Sequence, residues 1–393
     1  MPEAVIVGYA RTPIGRFGGV LARLSAVELG GHAITGALAN AGVAPEHVDN
    51  VLMGHVLQAG QGQITARQAA VRAGIGMDVP ALTLNKVCLS GTAAVALADQ
   101  SIRAGDVDLV VAGGMESMSN APYVLPGARQ GLRMGDATLV DAMVHDGLWC
   151  AFDDEHMGAA SDRMNVEYGI SREHQDEWAA RSHELAVAAW KRGHFEGEVR
   201  PVELASRTGD AEVVDRDEGM RPGVTPESLS QLKPAFTRDG TITAGNASQI
   251  SDGAAALVLA SRERAEALGL LALGRIVAYG QVAGPDASLH HQPAGAIGVA
   301  AAKAGLDADS LDVYEINEAF AAVASHAAAL LRVDEGRVNP AGGAVALGHP
   351  IGATGARLTA GLLHQLRARG GGRGAVGLCG GGGQGDGLIV ETL

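Results

Sequence analysis

Two cysteines and one histidine stand where the surrounding sequence is suited to chemistry. Cys379 lies in CGGGGQG and His349 in GHPIGATG, both within a glycine-dense C-terminal stretch, Ala341 to Leu393. Glycine has no Cβ, so backbone N–H groups can come close to a ligand, and such a stretch makes a poor core but a good reaction floor. Cys88 lies in NKVCLSG, after a strand-like run and ahead of an alanine-rich helical pattern. Unpaired N–H groups and the macrodipole at a helix start favour a thiolate, which makes Cys88 a candidate nucleophile and His349 its candidate base. Cys379 is a candidate acid/base thiol, with the N–H groups of Gly380 and Gly381 able to face a developing oxyanion. Each has a plainer reading, since a cysteine is commonly a small core residue and a histidine commonly structural. The glycine-rich and helix-start settings favour the chemical one. Asn317, in EINEAF, ends a strand, where it either positions a water or an oxygen or simply forms the turn.

The elements that must carry these residues can be read from periodicity and punctuation. Residues 3–9 and 48–54 read as strands, and Ser25 to Ala41 as an amphipathic helix stopped by Gly42. Gln63 to Ala73 has helical character, Ala81 to Val87 leads into Cys88, and Ser90 to Ala104 reads as a helix. Leu109 to Ala112 follows as a strand closed by Gly113 and Gly114. Near the end, Gly348 to about Arg367 reads as a turn entering a helix, Gly374 to Cys379 as a buried strand, and GLIVETL as the last strand. That last strand removes a GxGxxG match at Gly380, Gly382 and Gly385, because a dinucleotide fingerprint requires a helix there.

Residues 33–54, AITGALANAGVAPEHVDNVLMG, align with residues 296–317, AIGVAAAKAGLDADSLDVYEIN. The match extends to the helices after Cys88 and His349, and to DLVVAGG against GAVGLCG. Two similar βα halves are implied, and a pseudo-twofold packing would bring Cys88 and His349 to one central site. Residues from about 117 to 244 have no counterpart in the second half and read as a loop domain covering the site. Within it, one clear helix is predicted from an N-cap at Ser171 to about Arg192, with Trp178, Leu185, Ala189 and Trp190 on roughly one face. The domain reading is therefore residues 1–116 with 245–270, residues 117–244, and residues 271–393.

Composition excludes several classes. A chain of 393 residues with 47% hydrophobic content and 56 glycines has ample material for a compact α/β core. Its net charge of −14 argues against nonspecific binding to nucleic acid or a membrane surface, while leaving room for a local basic patch toward a phosphorylated ligand. Only Cys88, Cys150 and Cys379 occur, in no CxxC spacing, so neither a disulfide framework nor a zinc site is indicated. Asp153, Asp154 and Glu155 read as a solvated acidic loop and not as a metal cluster. No apolar run is long enough to cross a bilayer and no secretory leader is evident, which points to the cytoplasm.

In the order NKVCLSG, NEAF, GHPIGATGAR and CGGGGQGDG, the chain resembles the thiolases over essentially its whole length. The resemblance implies a thiolase-like fold with a layered αβαβα core and the loop domain inserted in the first half. It implies that Cys88 is acylated, that His349 activates it, that Cys379 moves protons at the substrate α-carbon, and that Asn317 holds a catalytic water. EHMG at Glu155 to Gly158 is similar to the short-chain branch that forms acetoacetyl-CoA, with His156 and Met157 near the pantetheine and thioester. Leu148, Arg221 and Ser248 match coenzyme A-contacting positions. The implied substrates are acetyl-CoA and other acyl-CoA thioesters, with no permanently bound cofactor and no metal, in a homotetramer. Where the family has a Met-Gly-x-Gly-Pro turn, this chain has Leu289-His290-His291-Gln292-Pro293, near the acyl pocket. A degradative thiolase acting on longer 3-oxoacyl-CoA stays open as the alternative.

Overall fold

The computed structural model describes residues 2–205 and 211–393; Met1 and residues 206–210 of the insertion lie outside the described residues. The first half supplies β1 (Ala4–Arg11), α1 (Ala26–Ala41), β2 (Asn50–Gly54), α2 (Thr65–Arg72), β3 (Ala81–Leu84), α3 (Ser90–Ala104) and β4 (Leu109–Ser117). The insertion carries α4 (Met157–Glu167) and α5 (Arg172–Lys191), after which β5 (Ser251–Ser261) rejoins the first sheet. The second half supplies β6 (Gly274–Ala283), α6 (Gln292–Ala304), β7 (Val313–Ile316), α7 (Ala321–Leu331), α8 (Thr354–Ala368), β8 (Arg373–Gly380) and β9 (Gln384–Thr392).

Local signals set the helix ends. Ser25 caps α1 through a reciprocal capping box with Glu28, and Gly42 closes it in the left-handed conformation at φ 67°. Ser171 caps α5 by accepting from His174 N.

The sheet topology repeats. Strand order is β3-β2-β4-β5-β1 in the first half and β7-β8-β9-β6 in the second, joined through the single pair Ile6↔Gly274. β2 and β4 are parallel, as are β7 and β8. The next two pairings, β4 with β5 and β5 with β1, are antiparallel, and so are β8 with β9 and β9 with β6. Thus α1–β2 and α6–β7 hold matching places, as the alignment of residues 33–54 with 296–317 expects.

Three apolar clusters turn this topology into five layers. Leu29, Ile34 and Ala69 pack α1 and α2 on the outer face of the first sheet. Val95, Ile102, Leu358 and Leu362 pack α3 and α8 between the sheets, against Val110 and Leu257 on one side and Val376 and Leu388 on the other. Ile297 and Ala324 of α6 and α7 cover the outer face of the second sheet. The order is α-β-α-β-α. The two central helices cross in close contact: a Cβ on Gly91 would stand 2.7 Å from Ala356 N, and one on Gly355 2.0 Å from Thr92 Oγ1. The first turns of α3 and α8, which follow Cys88 and His349, are thereby brought together.

β4 differs from its sequence reading. Gly113 and Gly114 do not close the strand; it continues to Ser117. The reason is tertiary, because a Cβ on Gly114 would lie 2.0 Å from Gly352 O, so the glycine lets the loop after His349 press onto the strand.

Glu318 fastens the insertion to the second half. Its buried carboxylate accepts from Trp178 Nε1 at 3.0 Å, Ser182 Oγ at 2.7 Å, Asn339 Nδ2 at 2.9 Å and Val345 N at 3.0 Å. The carboxylate thereby satisfies donors from three separate segments at once. Among the described residues, no helix is long and apolar enough to cross a membrane.

Candidate active site

Cys88 is delivered by a strained turn between β3 and α3. Val87, a β-branched residue, sits in the left-handed region at φ 50°. The turn is held from several sides: Asn85 Oδ1 accepts from Val87 N at 2.9 Å, and Ser90 Oγ donates to Val87 O at 2.6 Å while accepting from Lys86 N at 2.8 Å. Strain of this kind persists only where the surroundings overdetermine it.

His349 is fixed at both ring nitrogens. Nδ1 lies 2.7 Å from Thr354 Oγ1 and Nε2 lies 3.3 Å from Asn317 Nδ2, and its backbone N–H reaches Gln249 O at 3.1 Å. Burial, with the Arg357 cation adding to it, drives the imidazole down to about 3, so the ring is neutral.

Cys379 arrives on β8, opposite Gly385 of β9, and is fully buried. Burial raises its thiol, and a charge on Cys88 would raise it further. The expectation of a stabilised thiolate at Cys88 is overturned in turn. Burial pushes that thiol up to about 12, its own backbone N–H offsets part of the rise, and Glu116 adds to it. Desolvation here outweighs the helix start, so the thiol is neutral.

One cavity of about 610 Å³ is lined by Cys88, His349, Cys379 and Gly381, together with Leu148, His156, Met157, Arg221 and Ser248. Two thiols and a neutral imidazole opening on one apolar cavity are equipment for moving an acyl group onto sulfur. Asn317 is not on the lining; it is fully buried, with Nδ2 3.3 Å from His349 Nε2 and no partner for its Oδ1 among the described residues. Arg221 lines the cavity as an exposed cation, beside Arg16, whose guanidinium is paired with Glu218 at 3.4 Å. The acidic residues 153–155 are engaged elsewhere, with Arg163 paired to Glu155 and Asp153 and Trp149 Nε1 donating to Asp154 Oδ1 at 3.0 Å.

Two family models divide the chain between them: the thiolase N-terminal domain matches residues 4–263 and the thiolase C-terminal domain residues 270–392. The chain belongs to the thiolase family.

Its relatives agree along the full length. The chain is 54% identical to the probable acetyl-CoA acetyltransferase of Mycobacterium tuberculosis, with 100% of each chain covered. It is 49% identical to the acetyl-CoA acetyltransferase of Pseudomonas aeruginosa over 99% of each. Its fold matches the crystal structure of the Bacillus anthracis acetyl-CoA acetyltransferase at a TM-score of 0.96 and 40% identity, covering 100% of this chain and 99% of the other. This thiolase is therefore an acyltransferase.

Several residues at the thiolase's site escaped the sequence reading. Phe236 comes from the insertion, stacks on His156 at 4.6 Å between ring centroids, and meets Phe320 edge-on at 6.0 Å. Nothing in its local sequence, KPAFTR, marks it. Glu116 is fully buried and accepts from Val56 N, Leu57 N and Gly352 N at 3.0–3.1 Å, so it ties the wall beside Cys88 to the His349 loop. His55 Nε2 lies 3.4 Å from the same carboxyl group, and burial drives that ring down to about 4.

Burial raises Glu116 from 4.5 to about 7. The folded state then keeps a proton that the unfolded chain has lost, so the contribution of Glu116 to stability falls as pH rises from about 4.5 to 7. Glu116→Gln has no such dependence. The melting temperature of the variant relative to wild type is expected to rise between pH 5 and pH 8, by the equivalent of at most about 3 kcal/mol. A constant difference across that range would contradict the assignment.

Proposed function

We propose that this thiolase is an acetyl-CoA C-acetyltransferase, joining two acetyl-CoA reversibly into acetoacetyl-CoA and coenzyme A through an acetyl-Cys88 intermediate. The observation that carries the reading is the convergence of Cys88, His349 and Cys379 on one cavity. The names of the relatives support the two-carbon substrate.

Both reacting groups start neutral, so the Cys88 proton passes to His349 Nε2 as sulfur attacks the thioester carbonyl. The tetrahedral adduct then expels the coenzyme A sulfur, which takes that proton and leaves acetyl-Cys88. With Cys88 acetylated, the freed imidazole of His349 takes the Cys379 proton and leaves a thiolate there. In the second half, the Cys379 thiolate takes an α-proton from a second acetyl-CoA, the enolate carbon attacks acetyl-Cys88, and Cys88 sulfur leaves and takes the proton held on His349. Gly381 N–H, His349 and a water held by Asn317 Oδ1 are the proposed oxyanion partners. Leu148, His156, Met157, Arg221 and Ser248 are the proposed contacts of coenzyme A.

Phe236, Phe320, Met157 and Leu289 line the cavity and favour a short acyl chain. Thiolysis of acetoacetyl-CoA is expected to exceed that of 3-oxooctanoyl-CoA by about tenfold or more, the discrimination an apolar pocket gives over added methylenes. Faster cleavage of the longer substrate would reassign the enzyme to the degradative branch.

The reading includes a cytoplasmic homotetramer. Tyr123, Leu132, Met134 and Leu139, all within one stretch of the insertion, are exposed, and Leu82 is exposed on the edge strand β3; such surface suits contact between copies. Sedimentation of a monomer at micromolar concentration would remove this part.

A further inference from the structure

Thr354 opens α8, five residues after His349. Its hydroxyl lies 2.7 Å from His349 Nδ1 and 2.9 Å from Pro350 O. The carbonyl can only accept, and a threonine hydroxyl has a single proton to give. With that proton on Pro350 O, Thr354 Oγ1 offers Nδ1 a lone pair, and the ring hydrogen must sit on Nδ1. Nε2 is left with its own lone pair, 3.3 Å from Asn317 Nδ2. The Asn317 amide fits this arrangement, because its N–H faces Nε2 while its Oδ1 has no partner among the described residues. Thr354 is 0% exposed and His349 5%, so bulk water does not compete for either contact.

We propose that Thr354 is a positioning residue that fixes His349 in the tautomer whose Nε2 accepts the Cys88 proton, and that then holds Nδ1–H of the resulting imidazolium. This rests on the reading of His349 as the base. The proton leaves Cys88 Sγ and arrives on His349 Nε2; Nδ1–H stays in place, and Thr354 moves no proton. Without the hydroxyl, the charged ring would bury an N–H with no acceptor, at the moment when burial and Arg357 already oppose the charge.

The test is the single-turnover rate of Cys88 acetylation by acetyl-CoA in Thr354→Val, which keeps the volume, and in Thr354→Ser, which keeps the hydroxyl, with His349→Gln as reference. Valine is expected to slow acetylation by about 10- to 100-fold, the effect of removing an outer partner of a working histidine. KM should stay within about twofold, since the hydroxyl acts on the transition state and not on substrate binding. Serine should restore the rate. A wild-type rate in Thr354→Val beside a dead His349→Gln overturns the proposal alone, as does a serine variant as slow as valine. A wild-type rate in His349→Gln overturns the underlying reading of the base. Should the valine variant not fold, the ¹⁵N shifts of His349 in the wild-type enzyme decide. A protonated Nδ1 with a bare Nε2 is expected, and the reverse overturns the proposal.

Discussion

Cys88→Ser is expected to lower acyl transfer by about 10⁴-fold or more, the scale on which losing a covalent nucleophile acts. A serine hydroxyl is far less acidic than a thiol, and burial that already pushes the thiol up to about 12 would oppose an alkoxide still more strongly. His349, held down to about 3, cannot make up the difference. After incubation with acetyl-CoA, mass spectrometry should find the acetyl group on the wild-type peptide carrying Cys88 and on no peptide of the variant. Cys150 is also buried but does not line the cavity. Acetyl found only there would overturn the assignment.

Cys379→Ser separates the two thiols. The variant should still acetylate Cys88, because the first half uses only the nucleophile, His349 and the groups around the thioester oxygen. Condensation should fail, since a hydroxyl is a poor base for an α-proton and a mismatched base forfeits about 10²- to 10⁴-fold. The measurement is deuterium exchange at the acetyl-CoA methyl group in D₂O, taken beside the yield of acetyl-enzyme. Exchange at the wild-type rate in the variant would move the base to another residue. If acetylation of Cys88 were lost as well, the division of labour between the thiols would be wrong.

Much of this protein could be read from neighbours in the chain. α3 runs over Ser90–Ala104 as the alanine pattern predicts, and α1 begins after Ser25 and stops at Gly42 because a side-chain cap and a left-handed glycine act within a turn of their own positions. The repeat, read as an alignment of 33–54 with 296–317, reappears as matching strand order because the same periodicity folds into the same βα unit twice. The motifs carrying Cys88, His349 and Cys379 named the family. Packing decided the rest. The charge state of Cys88 depends on how deeply the folded chain buries it, which no helix-start rule contains. Gly113 and Gly114 read as a strand's end because the loop that crosses Gly114 lies more than two hundred residues away. Glu116 and Glu318 became buried clamps, and Phe236 a wall of the cavity, through contacts between segments remote in sequence. Caps and periodicity are short-range and show in the sequence; burial, hydrogen-bond satisfaction and cavity shape are sums over distant segments, and exist only once the sheets and the insertion have closed.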